Sequence, residues 1–312
     1  MPGDGGLKIL LNPEGIDAEV GPAFLARCFA SPWTEVMYRW YLRRPFDGEP
    51  PDRLILMDGA HAVAACGVVY RQLRTRDGEL RRVGIAVAGC TLPSERGRGC
   101  YVRVLQASAD QAAARGCAAL LGFVRADNAS GRPLERWGAA VIPSAYIFSR
   151  DRGPLARSGV LQLRDAPAAD DWPARAEARP HAGAARAGFH YPDAAAWRSQ
   201  IVDRPHGVRS VRLGATCRAV IESVDGTDRL QWLDGDERER LPAIRAIAAH
   251  AWGRGRKFFM YSTCPHEAAA ARRLGLAAHP GYMMALALQA GHASTVRGWA
   301  GLPWRVQSGD RM

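Results

Sequence analysis

The chain has 312 residues, 47% of them hydrophobic, enough for two cores; it has no run of about 18 apolar residues, so no transmembrane helix is expected. Seven scattered cysteines, odd in number and without a CxxC spacing, predict reduced thiols in the cytoplasm and argue against a disulfide framework or a structural zinc site. The net charge of +11 rests almost wholly on arginine, with Lys8 and Lys257 the only lysines; solvated faces account for most of it, an anionic ligand or an acidic carrier protein would suit it, and without interleaved aromatics it makes no nucleic-acid motif.

The opening MPGDGGLKILLNPEG has no basic region followed by an apolar one, so no secretory signal is expected there. A short apolar stretch and VGPAFLARCFA, a helix, follow. Thr34 to Phe46 reads as a second helix stopped by Pro45. DRLILMDG and HAVAACGVVYRQLRT read as strands joined at Asp58-Gly59, a hairpin signal. Leu80 to Leu92 is a further strand, and Gly99 to Gly116 an Ala-rich helix closed by glycine. CAALLGFV is a buried strand, Asn128 to Gly138 a short helix opened by Asn or Ser, and SAYIFSRD another strand.

Residues 151–190 are rich in Ala, Pro and Arg and weak in periodicity, which predicts a linker. The element order then repeats: a Trp-bearing helix, three strands, a helix, a strand (KFFMYST), a short helix and a last strand (YMMALALQ). Arg44-Pro45 and Arg204-Pro205, each after a Trp-bearing helix, anchor an internal duplication. The expected division is a first domain at 1–150, a linker at 151–190, a second domain at 191–290 and a tail at 291–312. Trp40 and Trp197 hold matching places and read as core anchors.

TLPSERGRGCYVRVL, Thr91 to Leu105, joins a strand to a helix through two glycines. Amides at a helix start lack internal partners, the helix dipole adds positive charge there, and glycine lets an anion approach. Arg96 and Arg98 add forked donors. The stretch is neither a Walker loop nor a dinucleotide fingerprint. By spacing alone it is either a pyrophosphate cradle or a plain turn.

The segment from Val83 to Gly138 resembles the GNAT superfamily of N-acyltransferases. Arg96-Gly97-Arg98-Gly99-Cys100-Tyr101 matches the family pattern Arg/Gln-x-x-Gly-x-Gly/Ala, GCAALLGF resembles its fifth strand, and DNASGRPLERWGA the segment beside the pantetheine. The resemblance implies an α/β fold, a central twisted mixed sheet flanked by helices, once in each half. It implies acetyl-CoA or another acyl-CoA as donor, no metal, and acyl transfer to an amine through a tetrahedral intermediate. Cys90, Thr91, Leu92, Arg96, Gly97, Arg98, Gly99, Cys100, Tyr101, Asn128 and Ser130 would contact the cofactor, and a backbone amide in Ala88 to Thr91 would serve the oxyanion.

Three positions depart from the family. Tyr101 stands where Gly or Ala is usual, Leu134 where a tyrosine often protonates the leaving thiolate, and VGIAVAGC has no Glu or Asp to serve as the usual general base. Tyr146 on the next strand is the substitute acid, against its reading as a half-buried strand tyrosine. Cys90 and Cys100 lack a His-Asp partner pattern and read as packing residues. His61, His250 and His266 lie in three elements without metal-ligand spacing. In the second half WLDGDERERLPAIRAI puts acids where the loop would be, which would repel a pyrophosphate; that half would wall an acceptor cleft. The expected acceptor is a small-metabolite or peptide amine, with no nucleic acid and no membrane as partner. The alternatives are an acyl carrier protein as donor and a non-catalytic acyl-CoA-binding protein.

Overall fold

The structure is a computed structural model, and it describes residues 6–14, 21–149, 161–167, 172 and 187–311. The first half runs β1 (Leu7–Leu11), α1 (Pro22–Phe29), α2 (Glu35–Leu42), β2 (Asp52–Asp58), β3 (His61–Arg74), β4 (Leu80–Thr91), α3 (Cys100–Ala114), β5 (Ala119–Arg125), α4 (Gly131–Arg136) and β6 (Ala140–Phe148). After β7 (Arg164–Asp165) and β8 (Gly188–His190) come α5 (Ala194–Trp197), β9 (Val208–Leu213), β10 (Cys217–Val224), β11 (Thr227–Asp234), α6 (Glu237–Gly253), β12 (Lys257–Ser262), α7 (Pro265–Arg273), β13 (Ala277–Ala287) and α8 (Ala293–Gly298). Among the described residues no helix is long and apolar enough to cross a membrane.

Local chemistry sets several of these bounds. The Thr34 hydroxyl accepts from the Met37 amide at 3.2 Å and starts α2. That helix ends at Leu42, short of the expected Phe46, because Pro45 disfavours helical backbone in the residue before it. Gly59, with φ of 57°, turns β2 into β3 with Asp58 facing His61, the expected hairpin. Gly116, with φ of 75°, follows α3 as its stop.

The expected mixed sheet is present, and it is one sheet in the order β1-β2-β3-β4-β5-β13-β6-β12-β11-β10-β9-β7, with β8 paired to β3. The β4–β5 and β11–β12 pairs are parallel, and the other pairs among the described strands are antiparallel. The halves exchange strands at the centre. β13, from the second half, lies between β5 and β6, with Met283 facing Phe123 on one side and Ile142 on the other. β6, from the first half, lies between β13 and β12, with Tyr146 facing Tyr261.

Under α1 and α2 one core runs from Phe24 and Leu25 across the seam to Tyr261, Met283, Trp299 and Trp304. α3 and α4 cover the opposite face with Val104, Leu105, Ala109 and Leu134. Asp52, 1% exposed, ties β2 to its neighbours: it accepts from Asn12 and Tyr70 at 2.6 Å, Gln111 at 2.8 Å and Arg115 at 2.9 Å.

The duplicated anchors meet in space. The Arg44 and Arg204 guanidinium carbons each stand 4.5 Å from the centre of the Trp40 ring, whose Nε1 donates to the Asp203 carbonyl at 2.6 Å. Trp197 is fully buried beside Trp172 and Trp232. Much of the expected linker lies outside the described residues. Of its described part, β7 pairs with β9, β8 with β3, and Trp172 stacks on Trp232 at 5.8 Å. Residues 291–312, expected as a tail, pack into the core instead through 311: Trp299 is 1% and Trp304 4% exposed. An indole buries too much apolar surface to be left in water when a sheet face is within reach.

Candidate functional site

β4 and β5 pair only over Val83–Ile85 and Ala119–Leu121. β3 then carries β4 one way while β13 carries β5 the other, so the two strands part and a cleft opens between them. β4 is bulged at the same level. Ala65 faces Cys90 and Gly67 faces Val87, which leaves Ala88 and Gly89 opposite Cys66, and Ala88 takes a φ of 50°. A bulge of this kind re-aims backbone groups that a regular ladder would consume.

The RGRG loop follows. A tight turn at Pro93–Glu95 leads to Gly97 and Gly99, with φ of 84° and 76°. Both conformations cost a side-chain-bearing residue strain. A Cβ at either glycine would meet nothing within 4 Å, so the loop is open on that side. No side chain caps α3 and no acid stands in its first turn. Its leading amides are therefore free for an anion. Arg96 Nη2 donates to the Cys28 carbonyl at 3.1 Å and ties the loop to α1. Arg98, half exposed, pairs with Glu95 and with Asp58 at 3.1 Å.

The other sequence-selected residues divide. Cys90, Leu92 and Cys100 are buried in the cores flanking β4, with Cys90 in hydrogen-bond contact with Cys28. Thr91 pairs with Ala64, and its Oγ1 is buried with no partner among the described residues. The Tyr101 ring lies over Gly89, where a Cβ would come within 3.0 Å of it, and its hydroxyl stands near Ser130. Burial pushes the Tyr101 phenol well above the usual tyrosine range. Asn128 Oδ1 accepts from the Ser130 amide at 2.9 Å, a turn ahead of α4. Ser130, expected first as a cap, makes no capping bond. Gly89, Tyr101, Ser130 and Asn128 thus meet at the cleft. Beside them a pocket of about 360 Å³ is lined by Arg125, Asn128, Arg132, Glu135, Tyr282 and Met284.

Tyr146 is not brought to this group. It is 8% exposed, stands against Gly281, and its ring lies 5.2 Å from Tyr261, 6.4 Å from Phe259 and 5.1 Å from the Arg311 guanidinium. Strand-to-helix spacing does not reveal where an aromatic ring turns, so the approach of Tyr101 to Gly89 is not legible in the sequence.

The second half repeats the parting strands and closes them. β11 and β12 pair only over Thr227–Leu230 and Lys257–Met260. The last residues of the chain then fill the gap. The Leu233 amide donates to Gln307 Oε1 at 2.7 Å, the Tyr261 amide to Ser308 Oγ at 2.8 Å, and Arg305 to the Leu233 carbonyl at 2.9 Å. The β11–α6 turn is also shut: a Cβ on Gly235 would collide with the Cys217 sulfur. Glu237 and Glu239 occupy the first turn of α6, as its sequence led one to expect.

No protein-family model and no curated protein matches the chain. Solved structures do. A tandem GNAT protein from the clavulanic acid biosynthesis pathway superposes with a TM-score of 0.63 over 89% of this chain and 97% of its own, at 12% identity. A GCN5-related N-acetyltransferase from Sphaerobacter thermophilus gives 0.56 over 90% and 96%, at 16% identity. An acetyltransferase-like protein from Pyrococcus horikoshii gives 0.59 over 91% and 90%, at 10% identity. Parting parallel strands, a bulged fourth strand and a glycine loop before a long helix are thus set in a fold shared with these proteins, and the chain has the tandem GNAT fold.

Proposed function

We propose that the protein is an N-acyltransferase whose first half holds an acyl-CoA and whose acceptor is an amine of a small metabolite or a modified peptide. The observation that carries this reading is the contrast between the halves. The β4–β5 cleft leads to an open glycine loop and an uncapped helix, whereas the β11–β12 gap is filled by the chain and fronted by acids. When bound, the cofactor would supply an activated acyl thioester. The leading amides of α3, with Gly97 and Gly99, would hold its pyrophosphate. The β4 edge from Ala88 onward has no ladder partner on the β5 side and would give an amide to the oxyanion. Tyr101, held protonated by burial beside Gly89, would give a proton at its Oη.

The test is a melting-temperature titration followed by thiol release. Acetyl-CoA raises Tm in a saturable manner, and free CoA does so nearly as well. An amine-dependent release of thiol then supports transfer. A second reading, binding without catalysis, is favoured by one observation: the strand LRRVGIAVAGCT carries no carboxylate or imidazole to take a proton. Binding with no thiol release across an amine panel would select it.

A further inference from the structure

On the face of the sheet opposite α3 and α4, the parted strands give onto a patch of aromatic rings. Phe123, half-buried on β5, stands two residues past the last β4–β5 pair and packs with Tyr146 and Tyr261 in the core under α1 and α2. Its ring lies 5.7 Å from that of Tyr261. Gly281 on β13 faces Arg125 at the end of β5. A Cβ on Gly281 would collide with the Tyr146 ring, so that ring leans from β6 over β13, toward β5.

Arg311 closes the far side of this patch. It is half-buried, and its guanidinium carbon lies 4.6 Å from the Tyr261 ring centre, 5.1 Å from Tyr146 and 5.6 Å from Phe259. Ring faces attract the cation but offer no acceptor to its N–H groups. Only Nε is shut away from solvent. Nη1 and Nη2 stay accessible and make no hydrogen bond or ion pair among the described residues. The preceding acid is engaged elsewhere: Asp310 takes the Tyr191 hydroxyl at 2.6 Å and the Gln307 amide at 2.8 Å. The segment that fills the second half's gap thus ends by presenting an open cationic edge to the first half.

We infer, resting on the acyltransferase reading above, that the acceptor is an amine that also carries a carboxylate, which the open Nη edge of Arg311 receives while the amine lies at the β4 edge. With the donor loop and α3 on one face of the sheet, the acceptor approaches from the other, the face of Phe123 and Arg311. β5 and β6 stand two strand steps apart, about 10 Å, and the rings between them carry no charge. The part of the acceptor that joins amine to carboxylate is therefore apolar and of that order of length. A guanidinium edge matches a carboxylate in two-point geometry, and one cation over an apolar floor suits a monoanion. The net reaction exchanges the thioester C–S bond for a C–N bond, and the proton lost by the amine leaves with the thiol.

The test is thiol release by the full chain from acetyl-CoA with 6-aminohexanoate, 8-aminooctanoate and their primary amides. An aminocarboxylate has a KM at least about tenfold below that of its amide. Arg311→Gln raises that KM to the amide's value and leaves the KM for acetyl-CoA unchanged, and Arg311→Lys restores part of the preference. A wild-type enzyme that takes the amides as well as the carboxylates, or a preference that survives Arg311→Gln, overturns the proposal. The wild-type comparison stands even if the variants do not fold. Should none of these amines be acetylated, a Tm titration with octanoate and octanamide at constant ionic strength decides. A saturable rise with octanoate, absent with octanamide and lost in Arg311→Gln, supports the Arg311 site; no rise with octanoate overturns it. Octanoate carries no thioester, nucleotide or amine, so failure of this site and failure of the acyltransferase reading are told apart.

Discussion

Tyr101 occupies the position at which the loop pattern calls for a small residue, and its ring lies across the cleft over Gly89. Burial disfavours its phenolate. If that hydroxyl gives the proton to the leaving group, Tyr101→Phe lowers kcat by about 100-fold while acetyl-CoA still raises Tm, as a proton donor contributes about 10²–10⁴; an unchanged kcat contradicts the role. The same burial has a stability consequence. An unfolded tyrosine ionises near about pH 10, whereas Tyr101 in the fold stays neutral there. The stability from keeping this phenol neutral is complete below that pH and is lost as pH rises past it. Tyr101→Phe therefore flattens part of the decline in Tm at alkaline pH. Gly99 makes the opposite demand, for a φ of 76° with no side chain on its open side. Gly99→Val costs about 1–2 kcal/mol in backbone strain and abolishes the acetyl-CoA shift; a shift that survives removes the loop from the site. The glycines could be read from the sequence because so few residues tolerate left-handed backbone. The direction of the Tyr101 ring could not, because Gly89, over which it lies, belongs to a separate element.

At the scale of elements, the halves differ in what fills the space between their parting strands. In the first half the Tyr101 ring lies over Gly89 at the edge of the cleft. In the second, residues 305–309 are hydrogen-bonded into the gap, with Trp304 and Val306 buried behind them. Trp304→Ala costs about 3–5 kcal/mol, the usual range for emptying a buried aromatic site, and chemical denaturation measures it; a loss below about 1 kcal/mol would mean that the segment is only laid on the surface. Asp52 plays a similar part in the first half. Burial opposes its ionisation, but bonds from Tyr70, Asn12, Gln111 and Arg115 outweigh that and hold its carboxyl below the usual range. Its contribution is complete above the ordinary aspartate range and is lost as pH falls through the lowered value. Asp52→Asn destabilises by about 2–4 kcal/mol at neutral pH, read from the denaturation midpoint. The acids opening α6 were legible as acids. The closing segment was not, because residues 302–311 have neither helical nor alternating periodicity and are ordered only by the two strands they join.

Over the whole molecule, repeated element order revealed two similar halves, but the exchange of β13 and β6 left no mark in either sequence. A buried strand reads the same whichever neighbour it pairs with. The exchange makes the two halves one sheet with a shared core, so calorimetry should record one cooperative transition. Two resolved transitions would contradict it. The most direct measurement is hydrogen exchange of the full chain with and without acetyl-CoA. The account predicts slowed exchange in residues 86–91 and 97–103 with no change in residues 231–241. Protection of residues 231–241, or none in residues 97–103 at saturating acetyl-CoA, would contradict it.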